Sequence, residues 1–136
     1  MISITNPLPF CYYIIMNINQ VIEKLKVQYP GKKIVLNSQK NLTEILCEID
    51  PTSLHPEYSI AIAVIDESLP HHHEKTTETY EIISGKLKLF IDGQEHILKT
   101  GEKIIVKPGQ KHFAKGTETW VKVTSRPGWK ASDHIL

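Results

Sequence analysis

Three consecutive histidines, His71, His72 and His73, stand in the middle of this 136-residue chain, and a glutamate follows at position 78. Their place within ordinary flanking sequence argues against a purification tag. Residues two apart in a strand share a face, so His71 and His73 would point together and His72 away from them. Imidazoles and a carboxylate that converge on one point suit a divalent transition metal. The stretch therefore predicts part of a metal site.

Glu78 lies five positions beyond His73, an odd spacing that would place the two on opposite faces of a straight strand. The polar residues 74–77 are typical of a turn, and a new strand beginning near Glu78 would aim Glu78 and Tyr80 inward. The Tyr80 hydroxyl could then hydrogen-bond a ligand or act as a weak acid, and a plain core aromatic is an equal alternative. His112 follows a later Pro-Gly turn, and a barrel can bring it level with the first histidines.

The apolar pattern predicts the elements that position these donors. A helix is predicted over 18–29, with Asn17 or Asn19 as its cap and Pro30-Gly31 as its end. Asp92-Gly93 between two apolar runs predicts a tight hairpin. Strands are predicted over 33–36, 43–49, 59–66, 78–83, 86–91, 96–98, 103–106, 111–114 and 120–124. Many short strands at this spacing indicate an all-β sandwich or small barrel.

Two motifs resemble those of a known family, the cupins. The first is His71-x-His73-x4-Glu78-x6-Gly85, and the second is Gly101-x6-Pro108-Gly109-x2-His112. The resemblance covers roughly residues 59 to 125, and the spacing between the motifs is similar to that of small bacterial single-domain cupins. The chain lacks the usual glycine before the first histidine, and it has Lys107 and Gly116 where proline and asparagine are common. These departures touch no donor, but they leave the subfamily open.

The resemblance implies a double-stranded β-helix, or jelly-roll barrel, with an N-terminal helix. It also implies one divalent metal ion, Fe, Mn, Ni, Zn or Cu, held by His71, His73, Glu78 and His112. On this view residues 17–136 form a single cupin domain with its core barrel at about 43–125. Residues 1–16 form a separate segment, for which an added edge strand on a partner subunit is plausible.

Composition limits the classes of binding partner and the cellular compartment that are expected for the protein. Lys and Arg number 16 against 15 Asp and Glu, so the chain lacks the basic surplus that duplex nucleic acid binding favours. The apolar run at 10–16 is too short to span a membrane and lacks the features of a secretory signal. Cys11 and Cys47 form no CxxC pair, which fits a reducing, cytoplasmic setting and leaves one disulfide open.

The predicted site leads to two main types of function, beside a storage or structural role in which the metal merely stabilises the barrel. The first is a metal-dependent enzyme for a small anionic or enolisable molecule, either a dioxygenase or an isomerase or lyase. Only Tyr80 and His96 offer themselves as protein bases, which slightly favours oxygen chemistry. The second is a non-catalytic module that binds a sugar or carboxylate through its metal.

Two further expectations concern the surface. The tail that contains Trp129, Asp133 and His134 is similar to the tails of some small cupins and could cover one barrel mouth, with a plain surface tail as the alternative. Apolar Ile83 and Phe90, with the run at 10–16, have no obvious place inside one barrel. A homodimer is therefore expected.

Overall fold

Residues 15–136, the part of the chain that the computed structural model describes, form one helix and eight strands in chain order. The bounds are α1 Ile18–Gln28, β1 Lys33–Leu36, β2 Glu44–Asp50, β3 Ser59–Glu67, β4 Thr77–Ser84, β5 Lys86–Ile91, β6 Gln94–Lys99, β7 Lys103–Val106 and β8 His112–Arg126. A single 3-10 turn follows at Ala131–Asp133. The predicted edge strand within residues 1–16, and Cys11, fall largely or wholly on residues 1–14, outside the described part.

The helix forms where its sequence pattern places it. Asn17 is the N-cap, and its Oδ1 accepts a hydrogen bond from the backbone N–H of Gln20 at 3.1 Å. The helix ends at Gln28, one residue before the predicted end. Its buried residues, Val21 and Leu25, pack on the outer face of the sheet. No helix among residues 15–136 is long and apolar enough to cross a bilayer.

The strands form one antiparallel sheet that closes around an apolar interior. Side chains alternate along β3, so that Ala63 and Ile65 face the interior while Ile62 and Val64 face the helix. The hairpin between β5 and β6 turns at Asp92-Gly93, and both residues have positive φ, as the sequence predicts. The fold is all-β with an N-terminal helix, which confirms the predicted class.

The longest strand, β8, pairs with other strands of the barrel along both of its edges. It pairs with β3 along one edge and with β5 and then β4 along the other. The two predicted strands at 111–114 and 120–124 are therefore wrong as separate elements, because β8 is continuous over 15 residues. The strand register shifts at the polar stretch between them, where Glu118 has a positive φ. Side-chain contacts hold this stretch, since the N–H of Glu118 donates to the Asp66 carboxylate at 2.7 Å and the hydroxyl of Thr119 donates to the Lys86 carbonyl at 2.7 Å.

Candidate metal centre

Four buried side chains from three parts of the chain meet inside the barrel. His71 and His73 lie on the segment that leads from β3 to β4, Glu78 lies at the start of β4, and His112 is the first residue of β8. A backbone bridge joins His71 to His112 through N–H···O bonds of 3.0 and 2.9 Å. One candidate ligand atom from each of these four side chains lies within 4.8 Å of the others. The structure therefore brings together all four residues that the motifs predict.

Each of the three histidines is oriented by a backbone carbonyl. The Nδ1 of His71 lies 2.8 Å from the Leu69 oxygen, and that of His112 lies 2.9 Å from the Gln110 oxygen. The Nδ1 of His73 lies 2.8 Å from the Asp133 oxygen. A carbonyl oxygen can only accept, so in each ring Nδ1 carries the proton. The Nε2 atom of each neutral ring then presents a lone pair, which is the form that binds a metal.

The Glu78 carboxylate lies against two of these Nε2 atoms. Its Oε1 is 3.0 Å from His112 and 3.3 Å from His73. Burial alone would raise the pKa of Glu78, but the hydrogen bond of His112 and the charge of both histidines outweigh burial and hold that pKa well below its usual range. For His73, burial works in the opposite direction, and the nearby charged carboxylate of Glu78 raises its pKa. Burial lowers the pKa of His71 to about 4.

The donor set fits a cation. Within the described residues, the buried Nε2 of His73 has no hydrogen-bond partner, despite its nearness to Glu78. Because their Nδ1 protons are committed to carbonyls, the rings can face the carboxylate in two ways. Either they are imidazolium ions, or they are neutral ligands that share a cation with it. A buried polar atom without a partner is costly, and a cation between the donors would remove that cost.

A cavity of about 460 Å³ opens on this cluster. His71 and Glu78 line it, together with Tyr80 from β4 and Glu44 from β2. The volume is within the range of small-molecule sites. Tyr80 is a core aromatic that also lines the cavity, and its predicted role toward a ligand stays a prediction. Burial raises the pKa of Tyr80, which keeps its hydroxyl protonated and makes it a hydrogen-bond donor.

Glu44 is a cavity residue that sequence reasoning missed. It is half-buried, and its side chain makes no hydrogen bond to any residue of the described part. Burial first, and then the charge of Glu78, raise the pKa of Glu44 from 4.5 to about 7. Its only sequence signal is a glutamate at an inward position of a strand otherwise rich in apolar residues. His96, in contrast, lies on β6 and is absent from the cavity lining.

The tail also contributes to the cavity, through Trp129 and His134. The His134 ring stacks on His71, with centroids 4.3 Å apart and planes at 17°. The Trp129 indole N–H donates to the Nδ1 of His134 at 3.4 Å. Of the two predicted alternatives, the tail therefore adopts the one that covers the site. His72 lies away from the cluster, and its backbone pairs with Ile135.

Comparison with known proteins places these residues in a family context. Residues 59–120 match the family model of the cupin domain. An uncharacterized protein of Aquifex aeolicus (strain VF5) is 26% identical over 87 residues, which cover 63% of this chain and 70% of that protein.

Two solved structures show the same fold. Pac13, described as a unique nucleoside dehydratase, superposes with a TM-score of 0.68 at 14% identity and covers 79% of this chain and 87% of its own. Fe(II) HppE superposes with a TM-score of 0.60 at 13% identity, over 71% of this chain and 56% of its own. At these identities the likeness concerns the fold.

Proposed function

We propose that this chain, whose residues 59–120 match the cupin-domain family model, is a metal-dependent enzyme acting on a small molecule in the barrel cavity. His71, His73, Glu78 and His112 would hold one divalent transition metal at the cavity floor. The observation that carries the proposal is the convergence of three imidazoles, each with Nδ1 held by a carbonyl, on one buried carboxylate.

The donor set supports a transition metal over Ca²⁺ or Mg²⁺. Calcium and magnesium prefer oxygen ligands, whereas three imidazoles and one carboxylate suit Fe, Mn, Ni, Zn or Cu. When bound, such an ion would polarise a substrate oxygen as a Lewis acid. A dication with one ionised carboxylate leaves a formal charge near +1, which favours an anionic or enolisable oxygen ligand.

The cavity residues favour proton-transfer chemistry, of the isomerase or lyase type. The sequence alone favours oxygen chemistry, because it offers few candidate bases. Glu44 removes that reason, since burial raises the pKa of its carboxyl toward the range in which a group can both take and give a proton at neutral pH. In this scheme Glu44 accepts a proton from a carbon next to a substrate carbonyl. The protonated Tyr80 hydroxyl donates a hydrogen bond to the substrate.

The descriptions of the structural neighbours are compatible with this chemistry but do not establish it. Pac13 is described as a dehydratase, which is a lyase, and solved variants of it contain uridine. HppE is described as an Fe(II) protein. Uridine is therefore a reasonable first probe, and iron one of the metals to test.

The first experiment measures metal binding. Purified protein is stripped with chelator, and binding of Zn²⁺, Fe²⁺, Mn²⁺ and Ni²⁺ is measured by calorimetry and elemental analysis. The wild type should bind one equivalent, His112→Ala should lose it, and His72→Ala should keep it because His72 lies outside the cluster. Equal loss in both variants, or no binding by the wild type, would refute the assigned site.

The second experiment measures turnover. Metal-loaded protein is incubated with uridine and with a small-molecule extract, with and without oxygen, and products are followed by mass spectrometry against His112→Ala. Oxygen-independent turnover that Glu44→Gln abolishes supports the lyase or isomerase type. Oxygen-dependent turnover would favour the dioxygenase instead, and tight metal-dependent binding without products would favour a binding module.

A further inference from the structure

The segment of residues 127–136 makes a dense set of contacts with the loop that carries His71 and His73. The backbone N–H of His72 donates to the Ile135 carbonyl at 2.9 Å, and the Ile135 N–H donates back at 3.0 Å. The segment is also fixed to the barrel, because the Trp129 N–H donates to the Ser59 hydroxyl at 2.9 Å. The Thr52 hydroxyl donates to the Trp129 carbonyl at 2.7 Å. The segment thus links the barrel wall to the loop.

Asp133 makes two kinds of contact with this loop. Its backbone carbonyl accepts from the Nδ1 of His73 at 2.8 Å, across 60 positions of sequence. Its carboxylate accepts the backbone N–H of Glu74 at 2.9 Å, and those of Lys75 and Thr76 at 3.2 Å each.

These two contacts act on different parts of the ligand geometry. His71 and His112 are oriented by carbonyls two residues earlier in their own segments, whereas His73 depends on a distant residue. The Asp133 carboxylate accepts hydrogen bonds from three backbone amides, and these amides belong to the turn between His73 and Glu78. His73 and Glu78 are an odd number of positions apart, so their side chains face the same side only if that turn is maintained.

We propose that Asp133 is a positioning residue for the metal site, and that segment 127–136 holds the ligand loop in its metal-binding form. The inference rests on the proposed metal site. Partners of this kind, which touch ligands and not the ion, typically change metal affinity by about 10- to 100-fold. In Asp133→Ala the backbone carbonyl that orients His73 remains. The three amides of the turn lose their hydrogen bonds to the carboxylate, and the carbonyl is no longer fixed to the loop by that carboxylate.

The test compares cobalt binding in matched variants. Asp66 is the control, because its carboxylate also accepts hydrogen bonds from two backbone N–H groups, of Met16 and Glu118, each at 2.7 Å, and neither belongs to a candidate ligand or to the turn before Glu78. Co²⁺ affinity is measured by chelator competition, and the visible absorption of bound Co²⁺ reports the ligand geometry. Asp133→Ala should bind roughly 10- to 100-fold more weakly with an altered spectrum, while Asp66→Ala should match the wild type in both.

Each outcome decides the matter. Wild-type affinity and spectrum in Asp133→Ala would overturn the inference and leave the metal site intact, whereas a wild type that binds no cobalt would overturn the metal site first. If Asp133→Ala does not fold, Asp133→Asn decides, because it keeps the shape and one acceptor oxygen. Its affinity should lie between wild type and a hundredfold loss, and equality with the wild type refutes the role.

Amide exchange of the wild type gives an independent measure. If the capped turn and metal binding are coupled, metal loading should slow exchange at the amides of residues 74–76 together with that of Ile135. Unchanged exchange at these amides on loading would contradict the coupling.

Discussion

Replacing Glu44 by glutamine should make the metal-free protein more stable at pH 8 and remove part of its pH dependence. The carboxyl of Glu44 has its pKa raised from 4.5 to about 7. Between these values the unfolded chain releases the proton while the folded chain keeps it. Stability therefore falls as pH rises through this window and stays low above it. Glutamine mimics the protonated form and cannot ionise.

The size of the effect follows from the same values. At about 1.4 kcal/mol per pH unit, the full cost would be about 3 kcal/mol. Because Glu44 is only half-buried, solvent reduces the cost, and a gain of about 2 kcal/mol at pH 8 is expected. With a urea m-value of about 1.5 kcal/mol/M, the midpoint would rise by about 1.3 M.

The assay is urea unfolding in chelator at pH 5, 6, 7 and 8. Glu48→Gln is the matched control, because Glu48 lines the same cavity and lies opposite Lys33 in the strand register. At pH 8, Glu44→Gln should be more stable than both Glu48→Gln and wild type, and its gain over wild type should shrink as the pH falls toward 5. A Glu44→Gln protein that is no more stable than wild type at pH 8 would refute the argument that the cavity penalises this charge.

Three further outcomes are expected. Metal affinity should rise with pH, because Glu78 raises the pKa of His73 and the ion must displace that proton; equal chelator-competition constants at pH 6 and 8 would contradict this. Gly116→Ala should cost about 1–3 kcal/mol in urea unfolding, since its added Cβ would lie 2.5 Å from the Thr119 hydroxyl, and a change under about 0.5 kcal/mol would count against that crowding. Light scattering after size exclusion should report a homodimer, given the exposed apolar Ile83, and a monomer at micromolar concentration would remove this expectation.

The motifs carried most of the information that the sequence held about the site. Two short stretches contain all four donors, and strand periodicity alone separates His72 from its neighbours. The turn between His73 and Glu78 is also predictable, since without it the carboxylate would point outward.

Other parts of the site left little signal in the sequence. Glu44 lies on a strand far from both motifs, and only the closure of the barrel places it in the cavity. Asp133 acts through its backbone carbonyl and through amides about 58 positions away, contacts that no local pattern encodes. Residues 111–114 and 120–124 have the pattern of two strands because the polar stretch between them interrupts the apolar alternation at a register shift, which contacts with Asp66 on β3 and Lys86 on β5 hold in place.

The carbonyl tethers on the histidines have an evolutionary consequence. The oxygens that orient His71 and His112 belong to the main chain of Leu69 and Gln110, so substitutions at those two positions leave the acceptors in place. Drift at position 69 should be nearly silent for the imidazoles, whereas the Gln110 side chain also holds its own turn by accepting the Lys107 N–H at 2.8 Å. The third hydrogen bond, from His73 to the carbonyl of position 133, depends on how the distant C-terminal segment packs. Inherited substitutions that alter the properties of the metal site should therefore accumulate around position 133.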